Sequence, residues 1–292
     1  MTLSGSFLTG SCPDMAMKWV EQTHPYFGKC LYITNNIVEL RIPLSYGIRI
    51  GHFSLCGDEN VFYEQPHDMQ ELATPEGWRV RGGHRLWVAP EGDETYYPDN
   101  APIHYKISGD SVLLTQQDDP WLQAKKSIRI TFGADDSVQV DHCIENTANA
   151  DRTCSLWAVT SVAPGGIQHI PLKTYDGGAM PRHWISMWSY TDLGDYRAKY
   201  SREEILLTHE PIQQKYKIGV DRPNGPVWYE NGGVIFEKEF PVIQEDIYPD
   251  KDVSYETFMC QHMVEMESLS ALRTLAPGEK CEHTEIWRLR KV

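Results

Sequence analysis

The chain is built from short runs in which apolar and polar residues alternate. KCLYIT (29–34), IVELRI (37–42), SVLLTQ (111–116), SIRITF (127–132), SVQVDHC (137–143), KYKIGV (215–220) and GVIFEKEF (233–240) are rich in Val, Ile, Tyr, Phe and Thr. Turn formers bound them: Asn35-Asn36, Gly109-Asp110, Gly133 to Asp136 and Asn231 to Gly233. A two-residue period puts alternate side chains on opposite faces of an extended backbone, so each run predicts a strand with one buried face. Helical spacing is scarce. Met15–Gln22, with Pro13 and Asp14 near its start, predicts two helical turns, and Ser201–Leu207 fits helix or strand equally. No fixed-period repeat and no Pro/Ser linker divides the chain. These features predict an all-β fold: one large domain spanning 1–292, a single-domain antiparallel β-sandwich with many strands per sheet. Two long irregular stretches, 64–104 and 163–200, are dense in Trp, Tyr, His, Arg and Gly. Loops of that composition at the rim of a β-scaffold commonly carry function.

Composition narrows the partners. The chain has 292 residues, with 27 Lys and Arg against 41 Asp and Glu, a net charge of −14. This argues against nucleic acid, whose phosphates need clustered cations, and against an anionic membrane surface. No run approaches the ~20 apolar residues that span a bilayer. The N-terminal MTLSGSFLTGSCPDMAMKWV has neither a basic start nor a continuous apolar core, so a cytoplasmic location is expected. Seven scattered cysteines without a CxxC pair read as reduced thiols. Among eleven histidines there is no compact metal motif, and His67-Asp68 and Asp141-His142 are adjacent pairs only. P-loop, GxGxxG and GxSxG fingerprints are absent, so no metal and no cofactor is expected from motifs.

Two segments could carry chemistry. In RGGHRLW (81–87) the glycines permit a sharp entry into a strand. Alternation then sets His84 and Leu86 on one face and Arg85 and Trp87 on the other. Arg85 offers a rigid fork of donors suited to hydroxyls or a carboxylate. In HMVEMES (262–268) alternation sets Val264 and Met266 on one face and Met263, Glu265 and Glu267 on the other. Two carboxylates on one buried face raise the pKa of one of them, which suits a general base near neutral pH. Trp121, Trp184, Trp188, Tyr190, Tyr96 and Tyr97 fall in or near the long loops. Aromatic faces suit the C–H faces of sugars.

Three segments in order resemble the galactose mutarotase-like superfamily. Arg81-Gly82-Gly83 followed by Leu86-Trp87 and Pro90 looks like the arginine-diglycine segment of the phosphohexose mutarotases. HCIENTANADRTCSLWAVTSVAPGG (142–166) resembles a strand that ends in "EN", turns and restarts. VEMES to LAPGE (264–279), followed by the strand holding Trp287, resembles the closing strand with its base glutamate. The resemblance covers about half the chain. It implies a sugar cleft on one sheet and a small-molecule sugar as partner. It implies anomer interconversion with Glu267 as base and Glu265 as the fallback. Arg85 and His84 lie beside the position of the family's substrate-binding arginine. The family's acid histidine, on the strand after the "EN" turn, is missing from SLWAVTSVA (155–163), where Trp157 and Thr160 occupy the matching positions. His84 or His169 would then have to supply the proton. Arg85, Trp87, His169, Trp157 and Trp188 are the expected sugar-binding residues. Two further readings remain open: a non-catalytic sugar-binding protein, and a lyase or isomerase acting on acidic sugars.

Overall fold

The computed structural model describes residues 17–65 and 77–292, and it is almost entirely β. His67-Asp68 lies outside the described residues. Each alternating run forms a strand within a residue or a few of its expected limits, among them Gly28–Thr34, Val38–Pro43, Ser111–Thr115, Ala124–Phe132, Val138–Asn146, Tyr216–Val220 and Val234–Glu239. The expected helix at Met15–Gln22 is corrected: Lys18–His24 is a strand paired along its whole length with Gly28–Thr34. Its apolar residues have no helical period, and cross-strand pairing outweighs the local start signal of Pro13 and Asp14. Glu204–Thr208 resolves the ambiguous segment as a strand.

Two large antiparallel sheets face each other. A four-stranded sheet formed by the early strands completes the set. The ten-stranded sheet is centred on Val234–Glu239, Lys280–Lys291 and Val138–Asn146. The eight-stranded sheet runs, neighbour to neighbour, Ile185–Met187, Tyr216–Val220, Tyr255–Met259, Val264–Leu269, Arg152–Val162, Gly83–Ala89 and Arg49–Ile50, with Arg273–Leu275 added beside Arg152–Val162. Leu86, Val88, Leu156, Ile218, Val264 and Met266 on its inner face meet Ile130, Val140, Phe236 and Trp287 of the ten-stranded sheet in one continuous core. The opposite face of the same strands carries a second buried cluster that includes Trp78, Trp87, Trp157, Val159 and Met263.

The stretch 64–104, expected to be largely irregular, contains Gly83–Ala89, in which every residue is buried. The diglycine has a steric reason. Gly82 and Gly83 both have positive φ, 77° and 71°, and a Cβ there would collide with the carbonyl oxygens of Tyr63 and Ile50. No other residue type fits that approach. The stretch 163–200 likewise contains three short strands, Ile167–Pro171, Ile185–Met187 and Ala198–Tyr200. No helix among the described residues is long and apolar enough to cross a membrane.

Candidate functional site

Register across the eight-stranded sheet decides which side chains meet on its outer face. Arg85 is opposite Val159, Val159 is opposite Glu267, and Glu267 is opposite Glu256. With strands about 4.8 Å apart, this row places Arg85 and Glu267 about 10 Å from each other, across Val159. The neighbouring row runs Ser161, Glu265, Phe258 and Lys217. Trp87 is opposite Trp157 in the row on the other side. A single hollow of about 180 Å³ opens over these rows. Arg85, Trp87, Trp157, Lys217, Glu265 and Glu267 line it from the sheet, and Trp78, Glu91, Tyr96 and Tyr190 from the loops.

Two cation–carboxylate groups organise the floor. Arg85 Nη2 lies 3.6 Å from Glu265 Oε1, and its guanidinium stands over the rings of Trp78 and Trp87, 5.1 and 4.6 Å from their centroids. Arg85 also donates to the carbonyl of Val80. Lys217 Nζ lies between the rings of Trp157 and Trp188, 4.6 Å from each centroid. It is 3.2 Å from Glu267 Oε2 and 2.9 Å from Glu256 Oε2. Glu267 Oε2 also accepts a hydrogen bond from Trp157 Nε1 at 2.8 Å. Glu267 Oε1 is buried with no hydrogen-bond partner, and neither Glu256 oxygen receives an aligned hydrogen bond.

This arrangement holds more acid than base. Burial raises the Glu256 carboxyl well above its usual range, with Lys217 opposing. Burial also raises Glu267, again opposed by Lys217. Burial alone would lower Lys217, but Glu267 and Glu256 outweigh it, so the net direction is upward. One ammonium therefore faces two carboxyl groups directly opposite each other across a strand pair, where like charges repel. Burial and repulsion from a neighbouring carboxylate push both carboxyls toward the protonated form, and Lys217 opposes this in each.

The expected site residues divide into those the hollow gathers and those it does not. Arg85, Trp87, Trp157, Glu265 and Glu267 line one hollow, and Trp188 stands beside it on Lys217. The expectation for His84 is corrected. It occupies the inner face of its strand, fully buried, with its ring 4.7 Å from that of Trp287. Alternation put it opposite Arg85, and that face turned out to be the interior of the sandwich. His169 is also displaced: in the ten-stranded sheet it stacks on Trp228 and pairs with Glu204, and it does not line the hollow. Of the two residues expected from the resemblance at the histidine position, Trp157 faces the hollow, while Thr160 points inward and bonds His84 Nδ1. Sequence reasoning missed Lys217, Glu256 and Trp78. The signal for the first two was a lone charged residue within an apolar run, YKIGV and YETFM.

His84, His142 and Glu285 form a compact group between the sheets, the one trio of metal-ligating side chains among the described residues. The group is already saturated. The His142 Nδ1–H donates to the His283 carbonyl, so its Nε2 accepts from His84 Nε2–H at 2.7 Å. Thr160 donates its hydroxyl proton to His84 Nδ1. Lys238 Nζ, 2.8 Å from Glu285 Oε1, supplies the positive charge a cation would otherwise bring. Two imidazole nitrogens 2.7 Å apart are hydrogen-bonded partners, closer than two ligands on one tetrahedral ion at about 2.0 Å.

No protein-family model matches the chain, and no curated protein matches it by sequence. Solved structures do. A TPR-domain containing protein from Parabacteroides distasonis superposes with a TM-score of 0.61 at 14% identity, over 89% of this chain. The match spans 47% of that longer protein. A galactose mutarotase-like protein from Lactobacillus casei gives 0.60 at 9% identity, over 89% of this chain and 100% of its own. An Escherichia coli K12 protein proposed to be an aldose 1-epimerase gives 0.59 at 12% identity, over 94% and 100%. At such identities the likeness concerns architecture, and the architecture of this chain is the galactose mutarotase-like β-sandwich.

Proposed function

We propose that this protein takes a monosaccharide into the hollow and interconverts its anomers, with Glu267 as the base. The observation that carries the reading is the state of the Glu267 carboxylate. Trp157 and Lys217 fix one oxygen, while the other is buried and unpartnered. A buried acceptor without a donor is costly, so it suits a ligand hydroxyl. Burial also raises its pKa toward the range in which a carboxylate accepts a proton readily. The walls fit the same ligand. Trp78, Trp87, Trp157, Tyr96 and Tyr190 offer faces to ring C–H groups. Arg85 with Glu265 offers an adjacent donor and acceptor to hydroxyls. The solved neighbours include proteins described as galactose mutarotase-like and one proposed to be an aldose 1-epimerase.

The test is polarimetry or proton NMR of freshly dissolved α-glucose and α-galactose with purified protein. Equilibration faster than the buffer rate, reduced about 10²–10⁴-fold in Glu267→Gln, is the expected outcome. A second reading, non-catalytic sugar binding, is favoured by one observation: among the described residues no histidine lines the hollow. Saturable binding with equilibration at the buffer rate would select it.

A further inference from the structure

Ring opening of an aldose needs an acid at the ring oxygen as well as a base at the anomeric hydroxyl, and among the described residues no histidine lines this hollow. Resting on the reading of Glu267 as base, we infer that Lys217 is the acid. The other lining groups are poorly placed for the task. Arg85 cannot release a proton in a protein. Tyr96 donates its hydroxyl proton to Glu91, and Tyr190 enters from a loop without a hydrogen bond to Glu267. Lys217 lines the hollow with Nζ 3.2 Å from the base, so donor and acceptor stand side by side, as the two oxygens on C1 require. The Trp157 and Trp188 rings fix its position from both sides.

The step balances within the pair. Glu267 takes the proton of the anomeric hydroxyl, and the C1–O1 bond becomes a carbonyl. The C1–O5 bond breaks, its electrons go to O5, and O5 takes a proton from Lys217. The carboxylate becomes a carboxylic acid and the ammonium an amine, so the site exchanges an ion pair for a neutral pair with no net charge. After rotation about C1–C2 the same transfers run backward on the other face. The resting ammonium holds its proton tightly because Glu267 opposes it. Glu256, 2.9 Å away, is pushed upward by burial, which weakens it as a second counter-charge. Once Glu267 is protonated, the buried ammonium loses one of its two paired carboxylates, and burial then favours release of its proton. Capture by Glu267 and release by Lys217 are therefore one coupled event.

Arg keeps the positive charge and the pairing but cannot give up a proton, so Lys217→Arg separates the roles. The expected result is sugar binding within about threefold of wild type in an NMR titration, with the anomerisation rate at least about 100-fold lower. Lys217→Ala is the second variant: methylammonium chloride should restore its rate in a concentration-dependent way, and guanidinium chloride should not. A Lys217→Arg protein that anomerises within threefold of wild type overturns the assignment. So does a sugar-binding Lys217→Ala protein that methylammonium leaves inactive, or loss of sugar binding in both variants, which limits Lys217 to binding. If wild type gives no acceleration, the reading of Glu267 fails first. Wild type active, Glu267→Gln inactive and Lys217→Arg active removes Lys217 alone.

Discussion

Replacing Lys238 by Met tests whether the interior network holds the site strands in place. Lys238 is fully buried between the sheets. Its ammonium meets four oxygens at 2.8–3.0 Å: the carbonyls of Ala158 and Met266, Thr160 Oγ1 and Glu285 Oε1. Ala158, Thr160 and Met266 belong to the strands whose outer faces carry Trp157, Glu265 and Glu267. Lys238→Met keeps most of the volume and removes the charge. Glu285 is then a buried carboxylate without its cation, a loss of about 3–5 kcal/mol. That is a large part of the ~5–15 kcal/mol of a typical domain. Burial alone would raise Glu285, yet Lys238, His84, His142 and His283 together lower it, so its charge depends on this neighbour. Urea unfolding at pH 7, followed by tryptophan fluorescence, should show the midpoint fall with little change in slope. Glu285→Gln should then recover about 2 kcal/mol in the double variant, because no uncompensated charge remains, the amide oxygen can still accept from Trp287 Nε1, and the amide NH2 can donate to the Ser268 hydroxyl, whose own proton can go to His283 Nε2. A Lys238→Met loss below about 1 kcal/mol, or strict additivity of the two changes, would refute the account.

Acid should destabilise the fold earlier than its carboxylates alone require. Burial lowers His84 and His142, and takes His283 to about 3. With an unfolded value near 6.5, the unfolded chain binds more protons below that pH, so stability is full above about 6.5 and falls as pH drops toward 3. One such histidine contributes about 2 kcal/mol of loss between pH 6.5 and 5, and a urea midpoint unchanged between pH 7.5 and 5 would contradict this. Trp157→Phe removes the Nε1–H donor to Glu267 Oε2 and should cost about 1.5–3 kcal/mol. It should also raise the Glu267 carboxyl further, moving the acid limb of any anomerisation–pH profile to higher pH, and an unmoved limb would count against that hydrogen bond.

The sandwich was legible because alternation is a local property, present in SIRITF or SVQVDHC without reference to the rest of the chain. The same rule separated Glu265 and Glu267 from Val264 and Met266, and Arg85 from His84. It could not say which of two buried faces would hold a cavity. Gly83–Ala89 is buried on both sides, so His84 was equally eligible until the ten-stranded sheet covered its face. The helix expected at Met15–Gln22 failed for a related reason, since pairing with Gly28–Thr34 is set by partners outside the segment. Lys217 and Glu256 escaped notice because their roles arise from register: each is a single charge in its own strand, and they meet only through cross-strand pairing.

The two faces of the central strands are therefore not independent. Along Arg152–Val162, Trp157 and Val159 face the hollow, while the Ala158 carbonyl and Thr160 are bound from behind by Lys238. Along Val264–Leu269, Glu265 and Glu267 face the hollow, while the Met266 carbonyl is held by Lys238 and Ser268 by Glu285 and His283. A one-residue slip of either strand would turn the carboxylates into the core and leave Lys238 facing the wrong atoms. An apolar core would accept neighbouring registers at modest cost. A saturated polar core does not, because each slip leaves several buried donors and acceptors unpaired at once. Charge and hydrogen bonding behind the sheet thus fix the distance between Arg85 and Glu267 in front of it, and a rigid separation between a donor and a base is what the proposed anomer interconversion would require of this hollow.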